Sequence, residues 1–80
     1  MTRFFFHVRT GIELIADLEG CDLLDLSAAK SEALADLREL VAERLRGGRL
    51  LIPTPEIEIA DHTGQTLATV GFEDALKGPH

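Results

Sequence analysis

Residues 27–46 read SAAKSEALADLRELVAERLR. Their apolar positions are Ala29, Ala33, Leu34, Leu37, Leu40, Val41 and Leu45, spaced by threes and fours. That spacing puts one apolar stripe along a helix and leaves Lys30, Glu32, Asp36, Arg38, Glu39 and Glu43 toward water. Ser27 has the side chain of an N-cap. Arg44 and Arg46 fall in the last turn, where the helix macrodipole favours cations, and Gly47-Gly48 supplies the stop. A helix with a single apolar stripe must be covered by something, and the flanking sequence offers two hairpins.

Upstream, Arg3 to Arg9 alternates. Phe4, Phe6 and Val8 share one face of a strand, and Arg3, Phe5, His7 and Arg9 share the other. Thr10-Gly11 is a turn in which Gly accepts positive φ, and Ile12 to Asp17 forms the returning strand. Asp17-Leu18-Glu19-Gly20 closes it, with Asp17 suited to an Asx-type turn and Gly20 to a left-handed position. Cys21 to Leu26 reads as an irregular connection. Downstream, Leu50-Leu51-Ile52-Pro53-Thr54-Pro55 is apolar but broken by two prolines, which predicts an extended connector over the core. Glu56 to Asp61 alternates with Ile57 and Ile59 inward, Asp61-His62-Thr63-Gly64 turns, and Gln65 to Val70 returns. Gly71 breaks that strand, and Phe72 to Leu76 reads as a short helical turn with Phe72 and Leu76 paired at i and i+4. The Asp-x-x-Gly pattern at Asp17–Gly20 and Asp61–Gly64 is repeated turn chemistry; the flanks do not match, so it is not an internal repeat.

The order hairpin, helix, hairpin predicts an α+β fold, ββαββ: a four-stranded antiparallel sheet with one long helix, about residues 27–46, packed on one face. The chain of 80 residues and 8.7 kDa accommodates one domain, residues 1–80, with an ordered core of about 3–76. Hydrophobic residues make up 45% and charged residues 28%, which is a globular and not a disordered composition. No apolar run approaches the roughly 18 residues of a membrane span. The opening Met-Thr-Arg-Phe-Phe-Phe-His is too short and too soon charged for a signal peptide, so a cytoplasmic location is expected. The single Cys21 fits a reducing compartment.

Charge is unevenly spread. Residues 11–37 carry Glu13, Asp17, Glu19, Asp22, Asp25, Glu32 and Asp36 against Lys30 alone, whereas Arg38, Arg44, Arg46 and Arg49 cluster near the helix end. The net of −6 disfavours generic adhesion to nucleic acid or anionic lipid, so neither is an expected partner.

The residues capable of chemistry are few. His7 lies mid-strand, His62 in a turn and His80 at the terminus, so no two have ligand spacing on one element, and no metal site is expected. Cys21 sits among acids that disfavour a thiolate, which predicts a buried small hydrophobe and not a nucleophile. The acidic pairs Asp17/Glu19 and Asp22/Asp25 lack the regular spacing of a calcium loop. No nucleophile elbow, zinc-protease helix or glycine-rich phosphate loop is present, so no catalytic residue and no cofactor is expected. The face Arg3, Phe5, His7, Arg9 could stack a base between cations, but the acidic chain and the absence of an RNP1 pattern favour protein association. It is the candidate interaction surface.

Two resemblances bear on this reading. The opening Arg3-Phe4-Phe5-Phe6-His7-Val8-Arg9-x-Gly11, with Asp17-x-x-Gly20, Ala29-x-x-x-Ala33 and Ile57-x-Ile59-x-Asp61-x-x-Gly64, resembles a family of small uncharacterised bacterial domains of unknown function over about residues 3–76. That resemblance implies a compact domain and assigns no functional residue. Residues 14–45, through Leu14-Ile15-Ala16-Asp17-Leu18-Glu19-Gly20-Cys21 and an Ala-rich helix, are similar to HicB-type antitoxins. Ala16 and Glu19 stand where those proteins carry prolines, and no DNA-binding tail follows. The expected function is a non-catalytic protein-interaction or self-associating module, its partner a second copy (a homodimer) or another protein. The alternative is an antitoxin-like module that neutralises a basic protein.

Overall fold

The long first strand organises everything else, because three elements pair along it. In the computed structural model, which describes residues 1–49 and 52–77, β1 runs Thr2–Thr10. The other elements are β2 (Glu13–Ile15), β3 (Cys21–Leu23), α1 (Leu26–Arg46), β4 (Pro55–Ala60), β5 (Thr66–Val70) and α2 (Phe72–Leu76). The predicted positions Leu50, Leu51 and His80 lie outside the described residues. All strand pairs are antiparallel, in the order β2-β1-β4-β5, with β3 also on β1. The α+β architecture expected from the sequence therefore stands, with one strand more than expected.

The extra strand is β3. Cys21–Leu23, expected as irregular connection, pairs with the first third of β1 through Thr2↔Leu23 and Phe4↔Cys21. β2 pairs with the last third through Val8↔Ile15 and Thr10↔Glu13. From Val8 to Phe4 the chain advances four positions, while from Ile15 to Cys21 it advances six. The partner of β1 is thus one strand interrupted by a two-residue excess at Ala16–Gly20, and β2 ends at Ile15 where the sequence suggested Asp17.

One face of the sheet receives α1. Phe4, Ile57, Ile59 and Val70 from the strands meet Ala29, Ala33, Leu37 and Val41 from the helix, with Phe6, Val8, Leu34 and Leu40 packed around them. The alanines let the helix axis approach the sheet, and the stripe follows the predicted spacing except at its end. Leu45, at the last position of the stripe, is 60% exposed. Phe72 and Ala75 of α2 pack against the same core, whereas Leu76, the expected partner of Phe72, is exposed.

Helix α1 is capped one turn edge earlier than the sequence suggested. Asp25, in extended conformation, accepts the Ala28 amide at 2.9 Å, which makes Asp25 the N-cap and places Ser27 inside the first turn. At the other end the Arg49 amide donates to the Arg44 carbonyl at 2.9 Å and the Gly48 amide to the Leu45 carbonyl at 3.1 Å, a Schellman closure. Of the connector's described residues, Ile52, Pro53 and Thr54 are exposed and Pro55, already in β4, is buried. Pro53 packs instead against the β1–β2 turn, its ring carbon 3.0 Å from where a Cβ on Gly11 would stand.

Thr10 closes β1 with its hydroxyl buried and, among the described residues, without a hydrogen-bond partner. Removing such a group relieves its desolvation, so Thr10→Val is expected to stabilise the domain by about 1 kcal/mol. A thermal melt checks it: a lower midpoint for Thr10→Val would show that the hydroxyl has a partner in solution.

Candidate functional site

The interruption between β2 and β3 leaves backbone amides of β1 facing a gap, and one side chain fills it. Asp17 accepts the Phe6 amide on one carboxylate oxygen at 3.1 Å, and the Glu19 and Gly20 amides on the other at 3.2 and 3.1 Å. Its own amide donates to His7 Nδ1 at 3.0 Å. Nδ1 is therefore an acceptor, and the imidazole proton sits on Nε2. Partial burial works against the Asp17 charge, but the three amides outweigh it and hold the carboxyl below its ordinary pKa.

Gly20 completes the repair. Its φ of +75° lies in the left-handed region, and a Cβ there would stand 2.9 Å from Arg3 Cγ and from the Phe5 ring and 3.0 Å from the Phe4 carbonyl. The expected Asx turn and left-handed glycine are thus both present, and both serve to splice a broken strand. The turn at Asp61–Gly64 uses the same local chemistry without the splice. Asp61 accepts from the Thr63 hydroxyl and amide and the Gln65 amide, and the Thr63 hydroxyl contributes most to holding its pKa down.

The four residues of the expected interaction surface lie together on the open face of β1, and each has a partner within the chain. Arg3 forms a bidentate pair with Asp22 at 3.0 and 3.1 Å and donates to the Glu19 carbonyl at 2.7 Å. The half-buried Phe5 ring lies against Gly20, His7 takes the Asp17 amide, and Arg9 pairs with Glu58 across the β1–β4 ladder. Cys21 is a half-buried free thiol on β3. Among the described residues no group of three or more His, Cys, Asp or Glu side chains is placed to hold a metal ion, and no helix is long and apolar enough to cross a membrane.

What the sequence reading missed lies one strand over. Ile12, Leu14, Ile15 and Leu18 are 99%, 45%, 63% and 88% exposed. They surround β2, a strand at the sheet's border with β1 on one side only. Leu14 lies opposite Arg9 and so extends the open face, whereas Ile15 lies opposite Val8 on the helix side. Adjacent apolar residues on a strand point to opposite faces, so Leu14-Ile15 carried the signal that one of them must lie on the face without the helix.

Helix α1 packs on β4 and β5 and reaches β3, so that among the described residues the helix-side face near β2 is left open, with Ile15 63% exposed. The result is an open groove of about 290 Å³ with Phe6, Val8, Ile57 and Leu40 as its apolar lining and Asp36, Glu39 and Glu43 along its rim. Burial first, then the neighbouring Glu32 and Asp17 charges, push the Asp36 carboxyl above its ordinary pKa. A second cleft of about 280 Å³ lies between α1, β5 and α2, lined by Lys30, Leu34, Thr69, Val70 and Asp74.

A family model described as "Domain of unknown function (DUF6894)" matches residues 3–73. Comparison with curated proteins and with solved structures gives no match.

Proposed function

The chain belongs to the DUF6894 family, a domain of unknown function, and on that premise we propose that it is a non-catalytic, self-associating interaction module. Two copies pair edge to edge through β2. The observation that carries this reading is the apolar border: four large aliphatic side chains, 45–99% exposed, within seven positions around an edge strand. An edge strand offers unpaired amides and carbonyls for another strand, and natural domains protect such edges with charge or by pairing them. Here the short edge strand carries one charge, Glu13, beside the exposed Leu14 and Ile15, and pairing with a second copy would cover both aliphatic side chains. A small domain also gains a large fraction of its stability from each side chain it removes from water.

This reading moves the contact from the centre of β1 to its neighbour. Arg3, His7 and Arg9 are engaged within the chain, so the open face contributes Leu14 and the rim around it.

Light scattering over a concentration series tests the proposal. The wild-type chain is expected to dimerise by high micromolar concentration, and Leu14→Glu/Ile15→Glu to remain monomeric with an unchanged circular-dichroism spectrum. A wild type that stays monomeric throughout overturns it. A wild type that stays monomeric alone and changes mass only when a basic protein is added would favour the antitoxin-like reading instead. Phe5→Glu is the poorer probe, because the Phe5 ring supports Gly20 in the strand splice.

A further inference from the structure

We propose that the groove between α1 and β1 is a binding site for a cationic amphipathic segment of another protein, and that pairing two copies through the neighbouring β2 completes it. The inference rests on the self-association just proposed and adds the partner's chemistry.

Antiparallel pairing of two identical edge strands in one sheet has its two-fold axis perpendicular to that sheet. Both copies of α1 then lie on the same face. The uncovered strip beside each β2 joins its counterpart, so two half-grooves become one trough between two helices. Its floor is Phe6, Val8 and Ile15 from each copy, since Ile15 lies opposite Val8 on the helix side. Both walls carry Leu40 low down and the acidic rim above it.

The rim selects the occupant. Asp36, Glu39 and Glu43 recur at helical spacing on one stripe of α1. Glu39 is shared with Arg46 at 3.2 Å, whereas Asp36 and Glu43 have no ion-pair partner among the described residues. Pairing two copies brings two such rims to face one trough, which raises the repulsion and the gain from a cation. Lys and Arg side chains meet both demands, with aliphatic stems over the floor and charged ends at the rim. An acidic segment is repelled, and a purely apolar one leaves the carboxylates unpaired.

The probe is a fluorescein-labelled peptide of lysine and leucine in amphipathic helical order, with glutamate-for-lysine and serine-for-leucine versions as controls. Anisotropy and light scattering are read together on the full chain. The expected result is one lysine–leucine peptide per two chains, binding that weakens with salt, and a dimerisation midpoint shifted to lower protein concentration. Asp36→Asn/Glu43→Gln is expected to weaken binding roughly three- to tenfold with the helix signal intact. Glu56→Gln, a charge removed from the open face, leaves binding unchanged. Equal binding of the glutamate peptide, or equal loss with Glu56→Gln, overturns the site as a cationic trough. One peptide per chain on a monomer overturns the completion by a second copy. A wild type that dimerises but binds none of the peptides overturns this inference and leaves the self-association standing.

Discussion

Asp17→Ala is expected to destabilise the domain by about 2–4 kcal/mol, although Asp17 belongs to no helix or strand. The reason is its place in the strand splice. One carboxylate serves the Phe6, Glu19 and Gly20 amides, and bonds to a charged acceptor are each worth about 1.5–3 kcal/mol. The Glu19 amide is exposed and can turn to water, so the three do not add in full. The Phe6 and Gly20 amides are partly buried, and they set the floor of the effect. Asp17→Asn retains a carbonyl oxygen without the charge and should lose roughly half as much. Urea unfolding at constant slope measures both. If Asp17→Ala lowers stability by less than about 1 kcal/mol, backbone geometry alone holds the splice.

The same residue gives the stability a pH dependence of defined sign. Asp17 has a folded-state pKa below its ordinary value. Its stabilisation is therefore fully present above the unfolded carboxylate pKa of about 3.9 and is lost as pH falls through the lower folded value. Asp36 has the opposite sign: its raised folded pKa means that ionisation opposes folding, and acidification relieves that penalty first. Wild type should consequently lose stability on the acid limb more steeply than Asp17→Asn, since the variant lacks the group that must be protonated. Parallel acid limbs would mean that the Asp17 carboxylate makes no differential interaction on folding.

These two carboxylates also mark where the sequence was informative and where it was not. Asp17-x-x-Gly20 is local chemistry: an Asx acceptor two and three residues before its donors, with a glycine at the left-handed position, is legible without any tertiary knowledge. Its long-range half, the Phe6 amide, is not legible, because it depends on β3 pairing with β1. Cys21-Asp22-Leu23 offers too little alternation or β-branching to announce a strand, and its conformation is fixed by Arg3 and Phe4 across the ladder. The helix stripe was legible from periodicity alone, but Leu45 obeys the period and is still exposed, since periodicity says which face is apolar and not what packs against it. Asp25 and Ser27 are both competent caps, and only the turn geometry decides between them. The surroundings of the candidate interaction surface were the least legible. Arg3, Phe5, His7 and Arg9 do share a face, as alternation requires, yet their partners Asp22, Gly20, Asp17 and Glu58 come from elsewhere in the chain. The exposure of Leu14 and Ile15 depends on where α1 crosses the sheet, which no window of sequence contains.

Leu37→Ala carries the largest expected loss, about 3–5 kcal/mol. Leu37 is fully buried at the middle of the α1 stripe, and the two buried helix positions before it are Ala29 and Ala33. Alanines bring the helix close to Ile57 and Ile59, but they have no side-chain length with which to fill a hole beside them. The vacated volume therefore persists, which places the loss toward the upper end for such truncations. A chain of this length has a total stability of roughly 4–12 kcal/mol, so this one substitution removes about a quarter or more of it. Leu45→Ala is the internal control: it deletes the same atoms from the same helix at a position 60% exposed, and its effect should lie within about 0.5 kcal/mol of zero. Paired thermal and urea unfolding of the two variants distinguishes burial from helix propensity, since both replace leucine by the better helix former. Similar losses at the two positions would mean that α1 packs on the sheet with a different face, and the groove beside β2, whose rim is defined by that face, would fall with it.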